Sequence, residues 1–533
     1  YMVTADLATL EYAAKFKNEL LYNRYQSARN TIAQFKTSAP YAYIIPQEQR
    51  DPVAPMELLR RMAFMGVRVN QLDRDVAYNG TTYPKGTWVI PMDQEFAQLV
   101  RELFEPQKYP DLGEDTPYDA AGWTLPYQMG INVIEATTPL TDELRSAMKS
   151  VQGKAVDWHT NADEPFTTSA AAAGIVAPAG GISGTGSVLV LDPAQNNSFR
   201  FINRALVAGG SVRYAQGKYV VSGVDRTQAN AWANELFVRA TSLDTAPANA
   251  VAAPTRIAIY KSAPGVMDEG WTEWLLDTFG FKYNLITPTD VRAGDLGSRF
   301  DAILIGSQSI GATGGRGGRG GGGGERGGRG NPAADSAAAE GVRSLDEFVK
   351  GGGTVIAWNQ GATSVANALR LPVRNVVGGV ERKNFYTGGS IMSVVTDTTQ
   401  AVMAGMPGRA DVFVFNSPVF TTLDGFDGSV LARFASDVSP LRSGFLNGTQ
   451  YIQGFAAALD VKHERGHAVL FAFQPEWRGQ PQGTFRTVFN ALFFARDVAD
   501  QAKPTPGFWT APAFPVTPAA KDSAGGRGTR PPS

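Results

Sequence analysis

Apolar residues near the start of the chain return every seventh place, at Leu7, Ala14, Leu21, Ala28 and Phe35, with Leu10 and Ile32 filling the stripe. That spacing keeps one face of a helix apolar, so residues 5–35 are predicted to form one long amphipathic helix whose stripe requires a partner. After "TSAP" the period changes. "YAYIIP" (41–46) reads as a strand, "DPVAPMELLRRMAFMG" (51–66) as a helix with prolines in or near its first turns, and "VRVNQL" (67–72) and "GTWVIPM" (86–92) as strands. A looser copy follows: strand "GSVLVL" (186–191), helix "NSFRFINRALVAGG" (197–210), strands "SVRYA" (211–215) and "KYVVSG" (218–223). A third begins at "RIAIYKS" (256–262), continues through the helix "DEGWTEWLLDTFG" (268–280) with Asp268 as N-cap, and reaches the strand "KYNLI" (282–286). Strand–helix–strand units of this kind build parallel or mixed sheets flanked by helices.

The third unit runs on through four more strand-like segments at 300–306, 352–359, 411–420 and 467–474. The fold class expected is therefore α/β and multidomain: repeated strand–helix–strand modules, then a flavodoxin-like domain. The boundaries are a helical tail at 1–35, modules at 36–140 and 141–250, the large domain at 251–502, and a tail at 503–533. The Gly/Arg-rich insert at 312–338 and the Pro/Ala/Gly-rich tail cannot bury enough apolar surface to order themselves.

Bulk composition narrows the function classes. A chain of 533 residues exceeds one core. Lys and Arg number 49 against 50 Asp and Glu, so no bulk charge draws it to nucleic acid or anionic lipid. No run reaches the roughly 18 apolar residues of a membrane span. With no cysteine, disulfides, thiolate metal sites and a cysteine nucleophile are excluded. The chain opens on Tyr1, which reads as a fragment or a processed product.

Two motifs invite specific chemistry. His463, Glu464 and His467 spell H-E-x-x-H, but two histidines four apart meet one metal only on a helix. Here Gly466 interrupts the motif and "AVLFAF" follows with strand composition, so a polar turn before a strand is expected. The RGG repeats in 314–330 hold no interleaved aromatic residues and no G-K-[ST] closes the run; a solvated loop is expected rather than an RNA or phosphate site. Trp123 and the Trp271/Trp274 pair are read as core or interface anchors in preference to ligand platforms.

The strings "PYDAAGWTLPYQMG" (117–130), "MDEGWTEWLLDTFGFKYNLITPTDVRAGDLGSRFDAILI" (267–305), "GGTVIAWN" (352–359), "GGSIMSVVTDTTQAVMAGMP" (388–407) and "EWRGQPQGTFRTVFNALFF" (476–494) resemble the long C-terminal region of bacterial zinc carboxypeptidases of the carboxypeptidase A-like family. The resemblance spans nearly all of 1–500 and implies a parent that removes C-terminal residues from peptides with zinc. It also implies an exported protein, an N-terminal catalytic domain as the chief partner, and a final domain similar to class I glutamine amidotransferases. The family's H-x-x-E metal motif is missing: His159 leads "HTNA", His463 "HERG" and His467 "HAVL". No zinc or other cofactor is assigned to this chain. The amidotransferase site is degenerate too. Asn359-Gln360-Gly361 occupies the nucleophile turn, and Gln474-Pro475-Glu476 stands where that family carries H-P-E. The expected function is thus an accessory, non-catalytic region of a metallocarboxypeptidase-like protein. The alternative is a ligand- or carbohydrate-binding module similar to those of carbohydrate-active proteins. Its pocket, at the strand C-termini, would be lined by Asp268, Glu269, Asn359, Gln360, Gln474 and Glu476. An independent hydrolase using Glu464 or Glu476 is disfavoured, since no serine sits in a G-x-S-x-G elbow.

Overall fold

The computed structural model describes residues 1–110, 116–151, 174–245, 255–262, 265–310, 332–495 and 504–515. It begins with two helices where the heptad pattern predicts one: α1 (Met2–Lys15) and α2 (Lys17–Thr37) meet at Phe16, whose φ of −107° and ψ of 22° leave the helical region. Most of the predicted stripe is bare, with Leu7 at 62% and Leu21 at 70% exposure, while Phe35 at the far end is buried against the first module.

The two modules share the topology of a four-stranded core, with a fifth strand added at opposite ends. In the first, β1 (Ala42–Ile45), α3 (Val53–Phe64), β2 (Asn70–Leu72), β3 (Trp88–Pro91), α4 (Ala97–Phe104), α5 (Leu125–Met129) and β4 (Ile134–Ala136) follow one another. β3 lies between β1 and β2 and is antiparallel to both, and β4 flanks β1 antiparallel. β5 (Met148–Ser150) adds to the β2 edge, so the first sheet takes in residues beyond 140. The second module has β6 (Gly181–Ser183), β7 (Val188–Leu191), α6 (Asn197–Val207), β8 (Ser211–Ala215), β9 (Lys218–Ser222), α7 (Arg226–Glu235) and β10 (Arg239–Leu243). There β9 sits between β7 and β8, and β10 flanks β7. Each module is a split β-α-β unit, in which the crossover strands are parallel to each other but kept apart by a hairpin strand. That insertion is why the first sheet is antiparallel throughout rather than parallel or mixed.

The last domain is α/β. β11 (Ile257–Tyr260), β12 (Tyr283–Ile286), β13 (Ala302–Ile305), β14 (Thr354–Trp358) and, later in the chain, β19 (Gly466–Phe471) form five parallel neighbours in the order β12-β11-β13-β14-β19. This is the flavodoxin-like 2-1-3-4-5 order. An antiparallel extension of β18 (Ala456–His463), β17 (Gly428–Phe434), β15 (Ser390–Thr396) and β16 (Arg409–Val414) continues the same sheet. Helices α8 (Met267–Phe279), α9 (Pro332–Lys350), α10 (Gln360–Ala368) and α11 (Phe485–Phe494) cover it. The core strands β11, β13 and β14 are buried at every residue, as a sheet covered on both faces requires.

Both modules are welded to this domain. Phe199 and Tyr219 of the second module meet Phe489 and Phe493 of α11 at centroid distances of 5.0 Å (Phe199–Phe489) and 5.4 Å (Tyr219–Phe493). Aromatic pairs of this kind add about 0.5–1.5 kcal/mol each beyond area burial. In the first module Thr124 Oγ1 bonds Ser443 Oγ at 2.9 Å, and a Cβ on Gly122 would fall 2.3 Å from the Ser443 carbonyl oxygen. The insert expected at 312–338 lies outside the described residues up to 331; from Pro332 onward the chain is α9. The tail expected to be mobile from 503 is not so throughout. Trp509 donates Nε1 to the Gly454 carbonyl at 2.9 Å and Arg374 stacks on Phe514 at 4.7 Å, because three aromatic residues, Phe508, Trp509 and Phe514, give this segment apolar surface to bury.

Candidate functional site

In a 2-1-3-4-5 sheet the loops leaving the C-terminal ends of the parallel strands converge on one edge. Here β11 leads to Lys261 and Ser262, β13 to Gly306-Ser307-Gln308, β14 to Asn359, and β19 to Gln474-Pro475-Glu476. The N-terminus of α8 brings Asp268 and Glu269 to the same edge.

Asn359 forms the sharpest turn of this edge, with φ 52° and ψ −128° between β14 and α10. A side chain rarely adopts such a backbone, and a strained strand-to-helix turn is the device by which nucleophile elbows lift a residue clear of the sheet. The turn is enforced from below: a Cβ on Gly361 would sit 1.8 Å from the Gly306 carbonyl oxygen, so α10 starts in contact with the backbone after β13. Asn359 offers an amide where an elbow offers a thiol or hydroxyl, and an amide is no nucleophile.

From the elbow a chain of polar contacts runs inward. Asn359 donates Nδ2 to Ser307 Oγ at 3.0 Å, Ser307 donates to Asp268 Oδ2, and Gln474 donates Nε2 to the same oxygen at 3.2 Å. Beneath them Glu476 is 1% exposed. Its carboxyl is pushed well above the ordinary range, first by burial and then by the Asp268 charge, with Thr272 and Trp358 opposing. Thr272 donates Oγ1 to the Asp268 carbonyl at 2.8 Å and lies 3.5 Å from Glu476 Oε1. One hydroxyl proton cannot serve both acceptors at full strength, so a protonated Glu476 suits this arrangement. Three buried acceptor atoms, Asn359 Oδ1, Gln474 Oε1 and Glu476 Oε2, and the Trp358 indole Nε1 have no hydrogen-bond partner of good geometry. Buried polar atoms in that state are costly unless something satisfies them.

Of the six residues singled out in the sequence, Asp268, Asn359, Gln474 and Glu476 come together. Glu269 turns aside to pair with Lys261 Nζ at 2.6 Å, and Gln360 faces outward, donating to the Asn416 carbonyl at 2.9 Å. Ser307, Thr272, Trp358 and Gln308 were not foreseen. Gln308 bonds the Ser262 amide at 2.7 Å and the Tyr260 carbonyl at 2.9 Å, closing the β11 loop onto the β13 loop. The one signal for Ser307 and Gln308 was the polar "GSQS" directly after the buried strand at 302–305.

The cluster holds carboxyl, amide and hydroxyl groups and no imidazole or thiol. His463 and His467 lie on a hairpin with Glu464 at φ 55°, as a polar turn before a strand requires. His463 pairs with Asp346 at 2.7 Å and His467 with Asp460 at 2.9 Å, each engaged with a different carboxylate. No group of three or more potential metal ligands occurs among the described residues; His159 lies outside them. No described helix is long and apolar enough to cross a membrane.

No protein-family model and no curated protein matches the chain. Solved structures similar to parts of it include a protein described as a GMP synthase subunit from Thermoplasma acidophilum, with 10% identity, 46% of this chain and 95% of that chain covered, and a TM-score of 0.29. A ThuA-like protein from Bacteroides uniformis has 12% identity, covers 47% and 95%, and scores 0.29. A β-galactosidase from Bacillus circulans sp. alkalophilus has 11% identity over 46% of this chain and only 31% of its own, with a score of 0.28. At such identities the activities of those proteins do not transfer.

Proposed function

We propose that this chain is a non-catalytic accessory region whose last domain uses an amidotransferase-like edge to bind a ligand rather than to turn one over. The observation that carries the reading is Asn359: the backbone strain of a nucleophile turn is present, yet the side chain on it cannot attack, and Gln474 beside it cannot take a proton. Two amides, a hydroxyl and a carboxylate, with buried acceptor atoms left without a partner, suit a neutral polar ligand such as a peptide amide or a sugar. Turnover then belongs to a parent polypeptide. The family resemblance makes that parent a zinc metallocarboxypeptidase-like enzyme, with this region docked on its catalytic domain. Support comes from the helical arm, where Leu7, Leu10, Leu21 and Tyr22 are apolar and largely exposed, surface of the kind that marks an interface.

The second reading, a carbohydrate-binding module that serves no peptidase, draws on the same unpartnered acceptors. A thermal-shift series with short peptides and with mono- and disaccharides separates the two. Stabilisation by peptides, lost in Asn359→Ala, supports the accessory role; stabilisation by sugars alone supports the second reading. No response to either class contradicts both.

A further inference from the structure

A cavity built by other elements than the Asp268 cluster opens between the first module and the last domain. It measures about 480 Å³, within the range of small-molecule sites. One wall carries Tyr43 of β1, Phe104, Pro126 and Ile131; the other carries Arg409 and Asp411 of β16, Arg442, and Arg486 of α11. Arg50 completes the ring.

The arginines differ in how they are neutralised. Arg409 pairs with Asp437 at 2.6 Å, and Arg442 with Asp411 at 3.2 Å. Arg50 and Arg486 have no carboxylate within ion-pair distance among the described residues, and both donate to one oxygen, the Gly405 carbonyl, at 2.9 and 3.1 Å. Arg486 is 3% exposed. Burial pushes its guanidinium down to about 10, opposed by Asp51 and assisted by the neighbouring Arg50 charge. Asp51 lies behind, accepting from the Val53 and Asn196 amides, so the pair of arginines faces one buried carboxyl. Two polar atoms on cavity-lining residues are buried without a partner: Arg486 Nε and the Tyr43 hydroxyl.

We propose that this interdomain cleft binds a small organic carboxylate, its anionic group taken between Arg50 and Arg486 and its apolar part laid along Phe104, Pro126 and Ile131. Guanidinium forks match a carboxylate, and one bound monoanion relieves the repulsion between two arginines that share an acceptor. The Glu135 carboxylate on the lining works against a dianion such as phosphate. The proposal is independent of the reading given to the Asp268 cluster.

Calorimetric titration of the whole chain tests it, using N-acetylphenylalanine, its amide and inorganic phosphate. Saturable binding of the acid is expected, with the amide and the Arg50→Gln variant at least about tenfold weaker. Tyr43→Phe, which keeps the ring, is expected to weaken the acid as well. An N-acetylated tripeptide with the same last residue identifies the source: tighter binding makes a peptide end the occupant, weaker binding a free acid, and either supports the site. Absence of saturable binding by the acid, equal binding of the amide, binding of phosphate alone, or full affinity in both R50Q and Y43F overturns it.

Discussion

Asn359 holds Ser307 through an Nδ2–Oγ hydrogen bond of 3.0 Å from a backbone at φ 52°, ψ −128°, so a single residue carries both the strain of the elbow and the first link of the polar chain. Comparing two variants separates the two roles. Asn359→Ala and Asn359→Gly both lose the side chain, but only Gly is at ease with this backbone. Urea denaturation should find the Gly variant more stable than the Ala variant by about 1 kcal/mol or more.

Gly361 tests how the elbow is built. Its Cβ position lies 1.8 Å from the Gly306 carbonyl oxygen, and neither partner is a flexible side chain that could swing away. Gly361→Ala should therefore cost roughly 3 kcal/mol, measured as a lowered denaturation midpoint. Gly379→Ala serves as the control for backbone strain alone, since Gly379 has φ +80° and nothing within 4 Å of its Cβ.

Glu476 gives a pH dependence with a definite sign. Its folded-state proton affinity is raised by burial and by Asp268, so its contribution to stability is complete below the ordinary glutamate value and is lost as pH climbs toward the folded value. Glu476→Gln keeps the shape without the ionisation. The variant should melt about 2–4 °C above the wild-type chain at pH 8, a gain of ~1 kcal/mol, and the difference should shrink toward pH 4.

Asn490 holds the second module to the last domain. Its Oδ1 accepts from the Tyr219 hydroxyl at 2.9 Å while its Nδ2 donates to the Val402 and Ala404 carbonyls at 3.2 and 2.8 Å. Asn490→Ala strands all three groups in the interior and should destabilise by about 2–3 kcal/mol in thermal or urea unfolding. Tyr219→Phe, which removes one partner and leaves the two carbonyls served, should cost less.

The hydrophobic grammar made the order of strands and helices legible, because buried strands such as "RIAIY" and "FDAILI" read as short apolar runs wherever they lie. It could not reveal the pairing. Whether the hairpin strand Trp88–Pro91 lies outside or between Ala42–Ile45 and Asn70–Leu72 is decided by contacts distant in sequence, and it lies between. The break at Phe16 was hidden for a related reason: the sevenfold stripe continues across it in register. At the site, Asn359, Gln474 and Glu476 were visible as residues standing at a family's catalytic positions. Ser307 and Thr272 were not, since a lone hydroxyl after a strand or inside a helix acquires meaning only from the carboxylate that faces it. The strings at 117–130 and 476–494 lie far apart in the chain. They meet in the fold, where the Gly483 amide donates to the Gln128 carbonyl at 2.9 Å and closes the joint between module and domain.

Binding, and not turnover, is the function proposed for these residues. The most direct measurement is release of the C-terminal amino acid from a chromogenic acyl-dipeptide by the purified chain with zinc supplied, with metal content determined on the same sample. The account predicts a rate equal to the buffer control and no zinc retained at one equivalent. Peptide hydrolysis proportional to protein concentration, or a stoichiometric zinc that survives the change of both His463 and His467 to Ala, would contradict it.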